Sequence, residues 1–316
     1  MKVAVIGTGA IGRAWGISFA RGGHDVYFYN RTPDKAREAL EFACAIVGDL
    51  ERYDLLNGHS AADTLARLHV ANSLEEALDD AGYAQENLAE DVALKAQMFL
   101  EMERFAPIES VLASSTSGIP ASAFTDKLVH RERCLVAHPL NPPYVIPAVD
   151  LVPSPWTSPT VMDWTAGFLT NCGQSPIRMK AEDPGFLTIR LQGALYHEAF
   201  RLVAEGLADP EAVDACIRDG LALRWSFIGP FETADLNAPR GVRQFVERFG
   251  QQYQNLYPRG GPFAWDGKVM DEVDRARREK LPIGDHQARQ LWRDRRLIAL
   301  IAHKRAQDKN DRRAES

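Results

Sequence analysis

At 316 residues, with 45% hydrophobic and 25% charged side chains, the chain carries enough apolar surface for sizeable cores, and two domains are the default expectation. A formal net charge of -6 and a pI near 5.8 argue against nucleic acid or an anionic membrane as the main partner. Met1-Lys2 leads straight into apolar residues, so no signal peptide is expected, and no apolar run approaches membrane-spanning length. Cys44, Cys134, Cys172 and Cys216 are widely scattered and lack the close pairings of zinc or redox motifs, so they are expected to be reduced, mostly buried thiols in a cytoplasmic protein.

From Lys2 to about Ala181, short β-branched or aromatic runs alternate with helical stretches, the pattern of a parallel sheet wrapped by helices. Val3 to Ile6 is the first expected strand. Directly behind it comes Gly7-Thr8-Gly9-Ala10-Ile11-Gly12, and Ile11 opens a helical pattern with Ala14, Trp15 and Phe19. In this context the glycines form a dinucleotide fingerprint. Gly7 permits a tight turn, Gly9 lets a pyrophosphate approach the backbone, and Gly12 lets the helix pack close to the strand. Ala10 and Ile11 then sit where a helix N-terminus offers free N–H groups to phosphate.

Val26 to Tyr29 is the second expected strand, followed by Asn30-Arg31-Thr32-Pro33. An NAD enzyme usually has a carboxylate here for the ribose hydroxyls. Asn30 removes the charge that would repel a 2′-phosphate, and Arg31 offers a fork to bind one, with Thr32 and Lys35 as further donors. This favours NADP over NAD; the bland alternative is a solvated turn with Arg31 facing water.

Further strands are expected at Leu68 to Val70, Val111 to Ala113, Cys134 to Ala137, Leu151-Val152 and Ile177 to Met179, with crossover helices over Glu38 to Leu50 and Val92 to Phe105. His138 falls at the carboxyl end of one of these strands, inside His138-Pro139-Leu140-Asn141-Pro142-Pro143, and Asp150 follows on the next. A histidine backed by a carboxylate is a general-base pair, but spacing alone leaves a structural histidine equally open. Asp183-Pro184-Gly185 is a turn signal that ends the alternation. The expected architecture is therefore α/β: an N-terminal Rossmann domain over residues 1–183, with a doubly wound, mostly parallel sheet, and an all-α C-terminal domain over 184–316. Phe186 to Leu207 reads as one long, mostly buried helix, a seat for a domain or subunit interface. Arg289 to Ala306 reads as a terminal helix of alternating charge, and Gln307 to Ser316 as a frayed polar tail.

Val5-Ile6-Gly7-Thr8-Gly9, Gln85-Glu86 with Glu90 and Lys95, Ala113-Ser114-Ser115-Thr116-Ser117, His138 to Tyr144, Gly173-Gln174-Ser175-Pro176 and Arg224 to Thr233 together resemble the 3-hydroxyacyl-CoA dehydrogenase superfamily, most closely its lambda-crystallin or L-gulonate 3-dehydrogenase branch. The resemblance covers nearly the whole chain. It implies that His138 takes the hydroxyl proton while hydride passes to nicotinamide, with Asp150 as orienting partner in place of the family's usual Glu. It implies that Ser117 and Asn141 line the substrate carbonyl and nicotinamide, and that Glu90 and Lys95 lie near the nicotinamide ribose and the substrate entrance; a structural cap or surface charge is the other reading of each. Ile189 stands where relatives usually carry an asparagine. Arg224 matches the lambda-crystallin branch, where a guanidinium facing the site would pair a free carboxylate; an arginine bridging two helices is the alternative. Trp225 and Phe227 are expected to serve packing.

The expected function is NADP- or NAD-linked interconversion of a small 3-hydroxy acid, L-gulonate or a related sugar acid, with its 3-oxo acid. Acyl-CoA, carnitine-like and imine substrates are alternatives within the class, and a dinucleotide-binding protein with little turnover is the alternative outside it. The expected partner is a small molecule rather than nucleic acid or membrane, no metal is called for, and a homodimer is expected.

Overall fold

The computed structural model describes residues 1–204 and 206–256, together with 271, 274–275, 278–279, 281–286, 288–289, 292 and 303. The chain folds as two compact units, Met1–Tyr196 and His197–Ser316.

The first unit is built on an eight-stranded sheet: β1 (Lys2–Ile6), β2 (Asp25–Tyr29), β3 (Leu68–Val70), β4 (Ala81–Glu86), β5 (Val111–Ser114), β6 (Cys134–Pro139), β7 (Ala148–Pro153) and β8 (Ser175–Arg178). Its strand order is β3-β2-β1-β4-β5-β6-β7-β8. All neighbours pair parallel except β6 and β7, which are antiparallel. The order reverses between β1 and β4, the switch point where doubly wound folds take ligands. The helices are α1 (Ala10–Arg21), α2 (Pro33–Arg52), α3 (Ala61–Ala66), α4 (Leu74–Leu78), α5 (Val92–Phe105), α6 (Ser122–Thr125), α7 (Pro159–Asn171) and α8 (Phe186–Ala204).

Side chains alternate across a strand, and here the two faces bury separate cores. Val3 and Val5 point to a cluster with Trp15, Phe19, Phe28 and Phe168, while Ala4 and Ile6 point to a cluster with Leu78, Phe99, Phe124 and Phe186. Strands buried on both faces read as continuous apolar runs, which is why β1, β5 and β6 are legible in the sequence. β4 is not. Its Ala81-Gly82-Tyr83-Ala84-Gln85-Glu86 lacks β-branched residues, yet it is a central strand between β1 and β5. Its polar end is satisfied internally: the Gln85 amide donates to Ser115 Oγ at 2.7 Å and to the Ala137 carbonyl at 3.1 Å.

Two expectations about burial need correction. Helix α8 forms, but Leu187, Leu191, Leu195 and Tyr196 are exposed, as are Phe200 and Val203 further along, so apolar content did not translate into burial within one chain. The division between the two compact units falls inside α8. Of the four free cysteines, Cys134 and Cys172 are buried while Cys44 and Cys216 are exposed; Cys44 lies on the outer side of α2, away from the buried Ala39, Ala43 and Val47.

The second unit contains α9 (Pro210–Ala215), a π-helical turn over Cys216–Leu221, α10 (Ala222–Trp225), α11 (Pro230–Leu236) and α12 (Val242–Leu256). Ile228, Leu236 and Leu281 form its apolar centre, against which Phe227 packs as expected. Buried Asp235 accepts a hydrogen bond from the Val242 amide at 2.8 Å and pairs with His286 Nε2 at 2.7 Å and with Arg278. The expected tail Gln307 to Ser316, and most of the expected helix Arg289 to Ala306, lie outside the described residues. Among the described residues no helix is long and apolar enough to cross a membrane, and no cluster of side chains could hold a metal ion.

Candidate active site

Parallel pairing brings the carboxyl ends of β1, β4, β5 and β6 to one edge of the sheet, and the loops that follow them carry most of the expected functional residues. After β1, Gly7 adopts φ +88, a region that side-chain-bearing residues rarely enter, and its amide donates to the Tyr29 carbonyl at 2.8 Å. A Cβ on Gly12 would lie 1.9 Å from the Gly7 carbonyl oxygen, so the helix can start this close only with glycine there. A Cβ on Gly9 would meet nothing within 4 Å: the space beside it is open. Ala10 and Ile11 begin α1, and no side chain caps that helix, so its first amides remain available to an anion. The open flank at Gly9 and the uncapped helix fit a dinucleotide pyrophosphate.

At the end of β2, Asn30 is already engaged. Its amide donates to Thr8 Oγ1 at 3.1 Å, and its carbonyl oxygen accepts the Thr32 amide at 3.0 Å. Thr8 Oγ1 in turn donates to the Lys35 carbonyl at 2.8 Å, so Asn30 ties this loop to the glycine turn. Arg31, Thr32 and Lys35 are exposed.

His138 and Asp150 are brought together by strand register. In the antiparallel β6–β7 pair they are direct cross-strand partners, and period-two alternation puts both on the Phe186 side of the sheet with Val136 and Val152. His138 Nδ1 lies 3.2 Å from Asp150 Oδ2, so the shorter aspartate still closes the pair. The imidazole is 5% exposed and the carboxylate fully buried. Asp150 Oδ2 also accepts the Thr188 amide at 3.0 Å, and Oδ1 accepts the Thr188 hydroxyl at 2.9 Å. Burial alone would raise the Asp150 carboxyl, but these hydrogen bonds and the neighbouring imidazole outweigh it and hold the group below the usual carboxylate range. With Nδ1 committed to Asp150, Nε2 is the nitrogen left to act on a substrate.

The loops after β4 and β5 are knitted by carboxylates. Glu90 accepts the Ser117 amide at 2.5 Å and the Thr116 hydroxyl at 2.7 Å, which fixes the exposed Ser117 beside it. Lys95 departs from its expected place at the substrate entrance, and from the surface-charge alternative too. It is 1% exposed and pairs with the buried Glu86, 3.1 Å from both carboxylate oxygens, while Glu90 is 3.8 Å away. Glu86 also accepts the Ser114 hydroxyl and the Leu88 amide, each at 2.5 Å, so a fully desolvated carboxylate is matched by a full donor set. Lys95 thus shapes the Glu86 to Glu90 loop from beneath. Asn141 is exposed in the β6–β7 connection, and its peptide bond to Pro142 is cis.

In the second unit, Arg224 has no ion-pair partner among the described residues, and its buried Nε has no hydrogen-bond partner. The Trp225 indole nitrogen next to it is likewise buried and unpartnered. No helix-bridging ion pair of the kind considered for Arg224 is present among the described residues. Residues that sequence reasoning did not single out are Thr188, Phe186, Glu86 as an ion-pair partner, and Thr116. The contacts of Thr188, Phe186 and Thr116 join segments far apart in the chain, and the pairing of Glu86 with Lys95 runs from a strand to the helix that follows it; spacing carries no signal for any of them.

Models of known families match both parts of the chain: residues 2–182 match the 3-hydroxyacyl-CoA dehydrogenase NAD binding domain, and residues 185–266 its C-terminal domain. Among curated proteins, rabbit (Oryctolagus cuniculus) lambda-crystallin is 36% identical over 307 residues, covering 96% of each chain. L-carnitine dehydrogenase of Streptomyces griseus is 35% identical over 288 residues, covering 91% of this chain and 82% of its own. In fold, the chain is similar to the crystal structure of an NAD+-dependent 5-formyl-3-hydroxy-2-methylpyridine 4-carboxylic acid 5-dehydrogenase, with a TM-score of 0.74, 24% identity and coverage of 95% of this chain and 96% of that one. With a glycine-lined nucleotide turn, a His–Asp pair on the same sheet edge and both domain models matched in order, the chain belongs to the 3-hydroxyacyl-CoA dehydrogenase superfamily of NAD-linked oxidoreductases.

Proposed function

We propose that this protein oxidises the secondary hydroxyl of a small 3-hydroxy acid to the 3-oxo acid, and runs the reverse reduction, with a nicotinamide dinucleotide. The observation that carries this reading is the His138–Asp150 pair, 3.2 Å apart, at the carboxyl edge of the sheet that also bears the glycine turn. When bound, the nicotinamide supplies the hydride acceptor. His138 Nε2 takes the hydroxyl proton, and the buried Asp150 steadies the imidazolium that results. Ser117, fixed by Glu90, and Asn141 offer hydrogen bonds to the substrate oxygen. The backbone of Gly7, Gly9, Ala10, Ile11 and Gly12 receives the pyrophosphate.

Arg224, a cation without a carboxylate partner among the described residues, supports a substrate with a free carboxylate over a CoA thioester. Relatives named L-carnitine dehydrogenase support a carnitine-like hydroxy acid, and the Arg224 argument applies equally to that and to a sugar acid. For the cofactor we favour NADP: Asn30 is neutral and engaged with Thr8 and Thr32, and the exposed cations Arg31 and Lys35 in the same loop support recognition of a 2′-phosphate. A cytoplasmic homodimer is part of the same reading. Ile189 favours a second reading, binding of dinucleotide with little turnover, because its side chain has no donor to offer a substrate oxygen.

The test is removal of the imidazole from the full-length chain: His138→Ala should lower kcat by about a hundredfold or more, the scale of a lost general base, with dinucleotide affinity nearly unchanged. A panel of L-gulonate, 3-hydroxybutyrate, carnitine and a 3-hydroxyacyl-CoA against both cofactors identifies the substrate class. Tight dinucleotide binding with no turnover on any of them would move the conclusion to the second reading.

A further inference from the structure

Asp150 is a fully buried carboxylate, so each of its oxygens depends on protein donors. Three donors reach it, and two of them belong to a single residue that is not on the sheet: the amide and the hydroxyl of Thr188. Thr188 lies in the first turn of α8, where backbone amides have no acceptor within the helix, and Asp150 of β7 supplies one. An amide contact alone would let the carboxylate turn about it. The hydroxyl grips the other oxygen, and with both held, Oδ2 faces His138 Nδ1.

The same turn touches the imidazole. Phe186, the first residue of α8, adopts φ +47, which bulky side chains rarely do, and its fully buried ring lies 5.9 Å from the His138 ring, centroid to centroid. The first turn of α8 therefore contacts both members of the pair, one residue for each.

We infer that Thr188 is a positioning residue for the reaction: its hydroxyl orients Asp150 so that the carboxylate supports His138. This rests on the assignment of His138 as the base. The charged groups nearby do not compete for the role. Among the described residues His138 is the one titratable group that acts on Asp150, Asp183 and Arg190 at the start of α8 pair with one another, and Glu90 is committed to Thr116 and Ser117.

The test uses Thr188→Val, which keeps the shape and the amide but removes the hydroxyl, and Thr188→Ser, which restores it. The His138 Nδ1–H proton resonance is recorded by NMR in the cofactor-free protein, and kcat and KM are measured alongside. In Thr188→Val, kcat is expected to fall about tenfold, the scale of one hydrogen bond to a charged group, with KM and dinucleotide affinity within about twofold. The Nδ1–H resonance is expected to move upfield, because the carboxylate that accepts this proton is no longer held toward it. Thr188→Ser should return kcat to within about threefold of the native chain and the resonance toward its native position. If the valine variant does not fold, Thr188→Ala removes the same hydroxyl and its resonance is read in the same way. An unmoved Nδ1–H resonance in the hydroxyl-free variant overturns the inference, as does a serine variant as impaired as the valine one. Failure of the base assignment looks different: His138→Ala would then keep its activity, whatever Thr188 does to the resonance.

Discussion

Replacing Asp150 with Asn tests the pair through charge, with little change of shape. The asparagine oxygen can occupy the place of Oδ2, facing His138 and the Thr188 amide, while its NH2 group faces a hydroxyl that can turn and accept. What is lost is the negative charge beside the imidazolium. Nδ1 and Oδ2 are 3.2 Å apart, so the charge centres are separated by roughly 4 Å, and Coulomb's law gives about 1 kcal/mol at the dielectric of water and about 4 kcal/mol at an effective value of about 20. Asp150 is fully buried, which places it toward the upper figure. Since about 1.4 kcal/mol is a factor of ten, kcat should fall about a hundredfold to a thousandfold. The assay is hydroxy-acid oxidation at saturating dinucleotide, with cofactor affinity measured separately by fluorescence. A variant within about threefold of the native kcat would refute the reasoning, for Asp150 would then contribute nothing electrostatic to the step. The same variant has a stability signature. A carboxyl depressed in the folded chain contributes stability above its unfolded value, about pH 4, and loses it as pH falls through the folded value. Asp150→Asn should therefore be less stable than the native chain at about pH 7, and the gap in denaturation midpoint should close on acidification below about pH 4.

The glycine turn separates binding from folding: Gly9→Ala, with open space for its methyl group, should keep the native melting temperature and lose dinucleotide affinity in a fluorescence titration. Gly12→Ala, whose Cβ would lie 1.9 Å from a carbonyl oxygen, should lower both. Lys95→Met should cost about 3–5 kcal/mol in chemical denaturation, because it leaves Glu86 buried and unpaired; a loss below about 1 kcal/mol would return Lys95 to a peripheral role. Arg31→Ala should weaken NADP far more than NAD, and an unchanged ratio of the two affinities would remove the case for a 2′-phosphate site.

What the sequence disclosed depended on whether the determining contacts were local. The glycine turn is a local device, so its spacing and the strand before it were enough to locate it. β6 was legible as an apolar run, and the placement of His138 at its end followed. The partnership with Asp150 required the strand direction, and nothing in Leu140 to Pro147 states that β7 runs antiparallel; a parallel β7 would have carried Asp150 away from His138. Lys95 was misplaced because a lysine in a helix reads as a surface charge until its carboxylate partner is known, and Glu86 sits in a strand that was itself missed. Thr188 went unmarked because a threonine near a helix start is ordinary; its significance comes from β7, 38 positions earlier. The exposed apolar side of α8 marks the opposite limit, since periodicity reports an apolar stripe and not what covers it.

Because His138 and Asp150 face one another across two adjacent strands, the connection between those strands can lengthen, shorten or change its side chains without disturbing their encounter. A slip of one residue in the ladder would do the reverse, turning the carboxylate to the other side of the sheet. On the proposed reading, the segment from Leu140 to Pro147, which carries Asn141, is thus the place where natural variation or engineering would rewrite substrate preference, while the His138–Asp150 pair stays anchored in the ladder beneath it.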